Sequence, residues 1–198
     1  MIHYGFDGWL FNVENRIEPD KVPSLVDFVT KLTKATRKVK GGTGWWIISG
    51  VIQGQLLSFL HPLCPIHLSQ QHRGKKGLVI WYDSVTRYGS LRWQDELNST
   101  NRCFFDACDG IFLNYTWKPK EQLARSVTEA GTRQKDVFVG VDVFGRNCFG
   151  GGGWNTSAAV EEALKRGLSV ALFAQGVFRC VRLFFSIIDG FLVAGPLM

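Results

Sequence analysis

Short apolar runs recur along this chain, and a stretch with helical character follows each of the first four. We predict five strands and four helices, approximately bounded as follows: strands at 4–12, 78–83, 109–114, 137–143 and 168–174, helices at 21–38, 93–101, 119–131 and 157–166. Alternating strands and helices are typical of βαβ units with a parallel sheet. The last helix is followed by Gly167, a common helix stop signal. The sequence therefore predicts an α/β fold.

The first apolar run ends in an amide and a carboxylate two positions apart. If the run is a strand, Asn12 and Glu14 lie on one side of it, at its carboxyl end. Active sites of parallel α/β sheets and barrels are built at that end. A carboxyl group can donate and accept a proton, and an amide can hydrogen-bond a substrate amide. An isolated Asn-x-Glu also fits a buried strand that simply runs into a polar loop.

Four further stretches end or continue in polar residues in the same way, and they stand in a fixed order after the first. Together with FDGWLFNVEN they are LVIWYDS at 78–84, LRWQDELN at 91–98, FFDACDGIFLNYTW at 104–117 and VFVGVDVF at 137–144. This set closely resembles glycoside hydrolase family 85, the cytosolic endo-β-N-acetylglucosaminidases. The resemblance covers roughly residues 1–38 and 77–174.

The resemblance implies a (β/α)8 catalytic barrel that cuts the β-1,4 bond in the N,N'-diacetylchitobiose core of N-glycans and free oligosaccharides. Cleavage in the family is retaining and substrate-assisted, because the substrate's own acetamido oxygen attacks the anomeric carbon and forms an oxazoline. By resemblance Glu14 is the general acid and then the base, and Asn12 orients the acetamido group. No cofactor and no metal is implied, and the partner is the glycan.

The resemblance assigns further residues to the site. Tyr82 is expected to face the catalytic centre, although a core tyrosine with a satisfied hydroxyl is the alternative. Trp93 and Trp117 are expected near the glycan, because sugar C–H faces stack on aromatic rings; packing under a loop is their alternative. Asn114 and Asp142 close their strands and suit either sugar hydroxyls or a role as turn formers.

The chain is short for such a barrel, because 198 residues compare with about 250 in a usual (β/α)8 fold. Mapped on the family, the five strands are strands 4 to 8, and strands 1 to 3 are absent. We predict a partial barrel at 1–174 and an atypical apolar tail at 175–198, which begins with Gln175-Gly176-Val177 where the family usually has Pro-Gly-Trp. An open sheet would expose its edges, so we expect poor solubility and little activity from the chain alone. A catalytically inactive isoform that binds glycans is the alternative function.

A segment at about 40–76 interrupts the resemblance. It is apolar and has no charged residue between Gly41 and Gln71. A translated non-coding stretch is the favoured interpretation, and a membrane or partner loop is the alternative. Glycines break its hydrophobic part, which makes it a poor transmembrane span.

The remaining features argue against other classes of protein. The net charge is +6, but no nucleic-acid-binding module accompanies it. The five cysteines include no CxxC pair, and Cys103 and Cys108 are typical of reduced buried thiols. No signal peptide is visible at Met1. We therefore expect a cytosolic protein that binds neither nucleic acid nor membranes.

Overall fold

A computed structural model describes residues 6–38, 44–50, 77–173 and 191–194. Its centre is a parallel sheet of seven strands in the order β2-β1-β3-β4-β5-β6-β7. The strands are β1 (Phe6–Val13), β2 (Gly44–Gly50), β3 (Leu78–Tyr82), β4 (Gly110–Leu113), β5 (Val137–Asp142), β6 (Ser169–Phe173) and β7 (Phe191–Ala194). The predicted α/β class with a parallel sheet is confirmed.

Four α-helices connect or follow the central strands. They are α1 (Val22–Thr36), α2 (Arg102–Ala107), α3 (Ala124–Ala130) and α4 (Thr156–Lys165). The predicted stop after the last helix is confirmed, because Gly167 has a φ of +74° and its N–H donates to the carbonyl of Leu164. Within the described ranges, no helix is long and apolar enough to cross a membrane.

The five predicted strands form the middle of the sheet, and one strand that was not predicted flanks them on each side. β2 comes from the apolar 40–76 segment and pairs with β1, with Leu10 opposite Ile47. β7 comes from the tail and pairs with β6, with Val170 opposite Phe191. The remainder of both segments, including the proposed boundary at residue 174, lies outside the described residues, so their interpretation stays a prediction.

The predicted helix at 93–101 is wrong, since this stretch is an irregular loop and the helix begins only at Arg102. The backbone N–H groups of Gln94 and Asp95 donate to the side chain of Asp83, 2.9 and 2.8 Å away. Asp95 also has a φ of +58°, a left-handed conformation that interrupts a helix. The Asp83 carboxylate therefore holds the loop in place. The periodicity of residues 93–101 does not show this contact.

The two faces of the sheet carry different cores. The helices pack on one face, where Trp81 and Phe104 stack at a centroid distance of 4.1 Å and an angle of 4°. Both rings are fully buried, and the indole N–H of Trp81 has no hydrogen-bond partner among the described residues. The opposite face is built from alternate strand positions: Leu10, Leu78, Ile80, Phe112, Phe138 and Ala171. At the carboxyl ends of the strands, the side chains on this second face are polar.

Close strand packing on this second face depends on glycine. A Cβ atom on Gly140 would lie 2.3 Å from the carbonyl oxygen of Leu113, and one on Gly8 would lie 2.2 Å from that of Leu78. Real side chains do not tolerate such distances. The glycines thus allow neighbouring strands to approach and bring their carboxyl ends together.

Candidate functional site

Asn12 and Glu14 lie side by side at the carboxyl end of β1. The amide nitrogen Nδ2 of Asn12 donates to Oε1 of Glu14 over 2.9 Å, and both side chains are half-buried. Because Nδ2 faces the carboxylate, the orientation of the amide is defined. Its oxygen Oδ1 is buried and has no hydrogen-bond partner among the described residues. The pair therefore combines a proton-transfer group with an unused acceptor.

Tyr82 ends the neighbouring strand β3 on the same face of the sheet. Its hydroxyl donates to Oδ1 of Asn114 over 3.1 Å, and the nearby Trp93 side chain partly offsets the rise in its pKa. Burial is the main cause of a raised pKa for this phenol, and the negative charge of Glu14 adds to the increase. Tyr82 is therefore neutral and lies within electrostatic reach of Glu14.

Asn114 is brought to this cluster, but the protein already uses both ends of its amide. Oδ1 accepts from Tyr82, and Nδ2 donates to Oδ1 of Asp95 over 2.7 Å. The same oxygen of Asp95 accepts from the backbone N–H of Thr116 at 3.0 Å. These contacts favour a connecting role for Asn114 over a direct contact with sugar hydroxyls.

The two tryptophans differ in their accessibility. Trp93 is 42% exposed, so part of its side chain is accessible to a ligand. Trp117 is only 2% exposed; its indole N–H donates to the carbonyl of Gly140 over 2.7 Å, and its ring packs against Phe149. This burial favours the alternative for Trp117, packing under a loop, because the ring lies within the helix-side core.

Asp142, at the end of β5, is fully buried and organises the following turn. Its carboxylate accepts from the backbone N–H of Arg146 at 3.0 Å and from its guanidinium Nε at 2.8 Å, as well as from the backbone N–H of Phe144. This geometry fits the turn-forming alternative for Asp142 rather than a contact with sugar hydroxyls, because protein donors occupy the carboxylate.

Arg146 was not predicted as a site residue, and the structure places it among aromatic rings. Its guanidinium carbon lies 5.5, 5.1 and 5.3 Å from the ring centroids of Tyr115, Phe144 and Phe173. Spacing gave no signal for this ion pair, because residues 143–146 form a turn and not a helix. The arrangement places an ion-paired guanidinium among aromatic rings at the carboxyl ends of β5 and β6.

Asp83 and Asp95 were also missed as site residues, although both lie in the motifs that carry the resemblance. Asp83 is buried, and burial raises the pKa of its carboxyl group to about 7. Three hydrogen-bond donors act in the opposite direction and lower that pKa. Those donors are the backbone N–H groups of Gln94 and Asp95 and the side-chain amide of Asn101. The two carboxylates connect the loops that follow β3 and β4.

The thiols and possible metal ligands add no second centre in the described part of the chain. Cys103 and Cys108 are free and at least half-buried, as predicted. No group of three or more potential ligand side chains that would hold a metal ion occurs among the described residues. The polar residues at the strand ends therefore remain the candidate site.

Comparison with known proteins identifies the family. The family model described as Glycosyl hydrolase family 85 matches residues 1–182. This chain belongs to glycosyl hydrolase family 85. It is 42% identical over 174 residues to the cytosolic endo-beta-N-acetylglucosaminidase of Gallus gallus, and 41% identical over 180 residues to that of Homo sapiens. It is also 41% identical over 172 residues to cytosolic endo-beta-N-acetylglucosaminidase 2 of Arabidopsis thaliana.

These family 85 relatives are much longer than the chain. The alignments cover 87–90% of the chain but only 19–20% of each relative. The chain thus spans about one fifth of the length of the curated relatives it matches.

Proposed function

We propose that this chain is part of the catalytic barrel of an endo-β-N-acetylglucosaminidase. In this proposal β1 and β3 to β6 are strands 4 to 8 of a (β/α)8 barrel, and the face without helices is the barrel interior. The parallel sheet, the helices on its other face and the polar strand ends support this assignment. The names of the relatives support the activity and a cytosolic location.

The proposed reaction is hydrolysis of the β-1,4 bond in the N,N'-diacetylchitobiose core of N-glycans and free oligosaccharides. It is retaining and substrate-assisted, so the second carboxylate of ordinary retaining glycosidases is not needed. The acetamido oxygen attacks the anomeric carbon, and the bond to the leaving oxygen breaks. Water then opens the oxazoline and restores the original anomeric configuration.

The observation that carries the proposal is the unused oxygen of Asn12. With Nδ2 bound to Glu14, Oδ1 is left as a buried acceptor, and a buried acceptor without a partner is costly. The acetamido N–H of a substrate is a donor of the required kind. Its nitrogen becomes positively charged as the oxazoline forms, which strengthens a hydrogen bond to Oδ1 in the transition state.

Glu14 supplies both proton transfers in this mechanism. Its Oε1 is held by Asn12, so its other oxygen carries the proton that passes to the leaving glycosidic oxygen. The resulting carboxylate then takes a proton from the water that attacks the anomeric carbon. Tyr82 and the exposed side chain of Trp93 border the same site and are proposed to contact the reacting sugar.

The test is hydrolysis of a fluorescent high-mannose asparagine-linked glycan by the purified chain. We expect slow release of a product with one GlcNAc left on asparagine, because the chain is only part of a barrel, and we expect Glu14→Gln to abolish this release. Glu18→Gln is the matched control, because Glu18 is exposed and its side chain pairs only with Lys21 among the described residues. The control should keep the activity of the unsubstituted chain.

Two results would contradict the proposal. Folded chain that binds the glycan without releasing product would favour the inactive glycan-binding isoform. Hydrolysis that persists in Glu14→Gln would remove Glu14 from the proton-transfer role.

A further inference from the structure

We propose that Asp95 is a positioning residue that fixes the direction of the Tyr82 hydroxyl through Asn114. The inference rests on the proposed function, because it assigns Asp95 to the same reaction. The starting observation is a backbone conformation that is unusual for residues other than glycine: Asp95 has a φ of +58°. Such a conformation costs free energy, and it persists where surrounding contacts determine it.

The contacts that hold Asp95 come from the end of β3. Its backbone N–H donates to Oδ2 of Asp83 over 2.8 Å, and the neighbouring Gln94 N–H donates to the same oxygen. Asp83 is itself held by the side-chain amide of Asn101 over 3.0 Å. The backbone at Asp95 is thus fixed, and its carboxylate projects towards the loop after β4.

The carboxylate of Asp95 determines which way the Asn114 amide faces. An ionised carboxylate only accepts hydrogen bonds. Oδ1 of Asp95 lies 2.7 Å from Nδ2 of Asn114 and 3.0 Å from the backbone N–H of Thr116. The amide must therefore turn its NH2 group to Asp95 and its oxygen to Tyr82.

The orientation of Asn114 in turn determines the position of the Tyr82 proton. The carbonyl oxygen of Asn114 is an acceptor, so the phenol must donate to it over the 3.1 Å between them. The phenol oxygen keeps lone pairs that can accept a further hydrogen bond. Because the phenol proton is donated to Asn114, the Tyr82 oxygen can only accept a hydrogen bond from the substrate. The substrate group that fits is therefore an N–H or O–H of the sugar.

One spectroscopic experiment tests this hydrogen-bond chain directly. The chain is labelled with ¹³C at the tyrosine ζ-carbon, and the Tyr82 signal is assigned by its loss in Tyr82→Phe. Asp95→Gly removes the carboxylate but accepts the positive φ, so we expect the Tyr82 signal to move. Asp95→Asn keeps an acceptor oxygen in place, so the signal should stay near its original position.

Asn147→Gly is the matched control for the backbone change. Asn147 has a φ of +56° in the loop after β5, so the same replacement at a similar conformation tests for a general effect of glycine. The Tyr82 signal should not respond to it. An unchanged signal in Asp95→Gly, or an equal shift in Asn147→Gly, would overturn the inference.

A kinetic cycle then tests whether Asp95 acts on the reaction through Tyr82. We expect Asp95→Gly to lower kcat/KM by on the order of tenfold to a hundredfold, as misplacement of a substrate-contacting group does, and Asp95→Asn to restore most of it. In the Tyr82→Phe background the same Asp95→Gly change should have no further effect. A full additional loss there would overturn the positioning role.

The two parts of the experiment separate this inference from the proposed function. If the unsubstituted chain releases no product but the Tyr82 signal responds to Asp95→Gly, the proposed activity of this chain fails while the control of Tyr82 by Asp95 is supported. If product is released and the signal does not respond, the proposed function is supported and the inference fails.

Discussion

At the scale of single residues, Asn12 and Glu14 each use one polar atom to hold the other in place. One atom of each side chain forms their shared hydrogen bond of 2.9 Å, and in the proposed mechanism the other contacts the substrate. The shared bond limits rotation of both groups, so neither has to be ordered when substrate arrives. Preorganisation of this kind lowers the cost of reaching the transition state.

The two tryptophans of the site motifs should respond differently to removal. Trp117→Ala is expected to lower the free energy of unfolding by about 3–5 kcal/mol, because it empties a packed core position. Trp93→Ala is expected to change stability by less than about 1 kcal/mol, because the ring is 42% exposed, but to raise KM several-fold.

Urea unfolding together with initial-rate kinetics measures both effects. A large KM increase in a stable Trp117→Phe variant would show that Trp117 contacts the glycan after all. Phenylalanine keeps most of the ring volume there but loses the hydrogen bond to the Gly140 carbonyl.

Residues of the site were predictable to the extent that their position in a strand decided their role. Asn12, Glu14 and Tyr82 follow apolar runs, and the structure places them where alternation along a strand requires. The role of Asp95 depends on a positive φ and on contacts with loops distant in sequence, and neither is visible in composition or spacing. The burial of Trp117 was not predictable, because a loop tryptophan has the same sequence signature whether it is buried or exposed.

At the scale of elements, close approach of β4 and β5 depends on the absence of a side chain. We expect Gly140→Ala to lower the free energy of unfolding by about 1–3 kcal/mol or more, because the new Cβ would lie 2.3 Å from the Leu113 carbonyl oxygen. Activity should fall as well, since the strand ends that carry Asn114 and Asp142 would separate.

Gly131→Ala is the comparison for this prediction. No atom lies within 4 Å of a Cβ at Gly131, so only its backbone conformation (φ +55°, ψ −119°) opposes the change, at a cost of about 1–3 kcal/mol, and activity should persist. Chemical denaturation and activity assays of both variants measure the difference. Unchanged stability and activity in Gly140→Ala would mean that strand spacing does not depend on Gly140.

The central strands were predictable because buried parallel strands form short continuous apolar runs. The outer strands β2 and β7 were not, because their pairing with β1 and β6 comes from segments without a recognisable alternation. The loop at 93–101 was mistaken for a helix for a similar reason. Its conformation is imposed by Asp83 from a different part of the chain.

At the scale of the whole molecule, Asp83 couples stability to pH. Burial raises its pKa to about 7 in the folded chain, well above its ordinary value of 3.8. Between these two values the folded chain holds a proton that the unfolded chain has released. The contribution of Asp83 to stability therefore falls as pH rises from about 4 to about 7, and it is constant above that range.

Urea unfolding across this pH range, with Asp83→Asn as the reference, measures the effect. The difference in unfolding free energy between the two chains should change between pH 4 and pH 7 and become level near pH 8. Parallel curves over the whole range would contradict the raised pKa of Asp83.

The stacked pair of Trp81 and Phe104 has an optical consequence. The two rings are nearly parallel, fully buried and 4.1 Å apart, so Trp81 absorbs light in a rigid and asymmetric setting without water. Such a chromophore gives a near-ultraviolet circular dichroism signal that vanishes when specific packing is lost, even where helices and strands persist. The difference between the spectra of the unsubstituted chain and Trp81→Phe, which leaves the six other tryptophans in place, would therefore report without any label whether α2 is docked on the sheet.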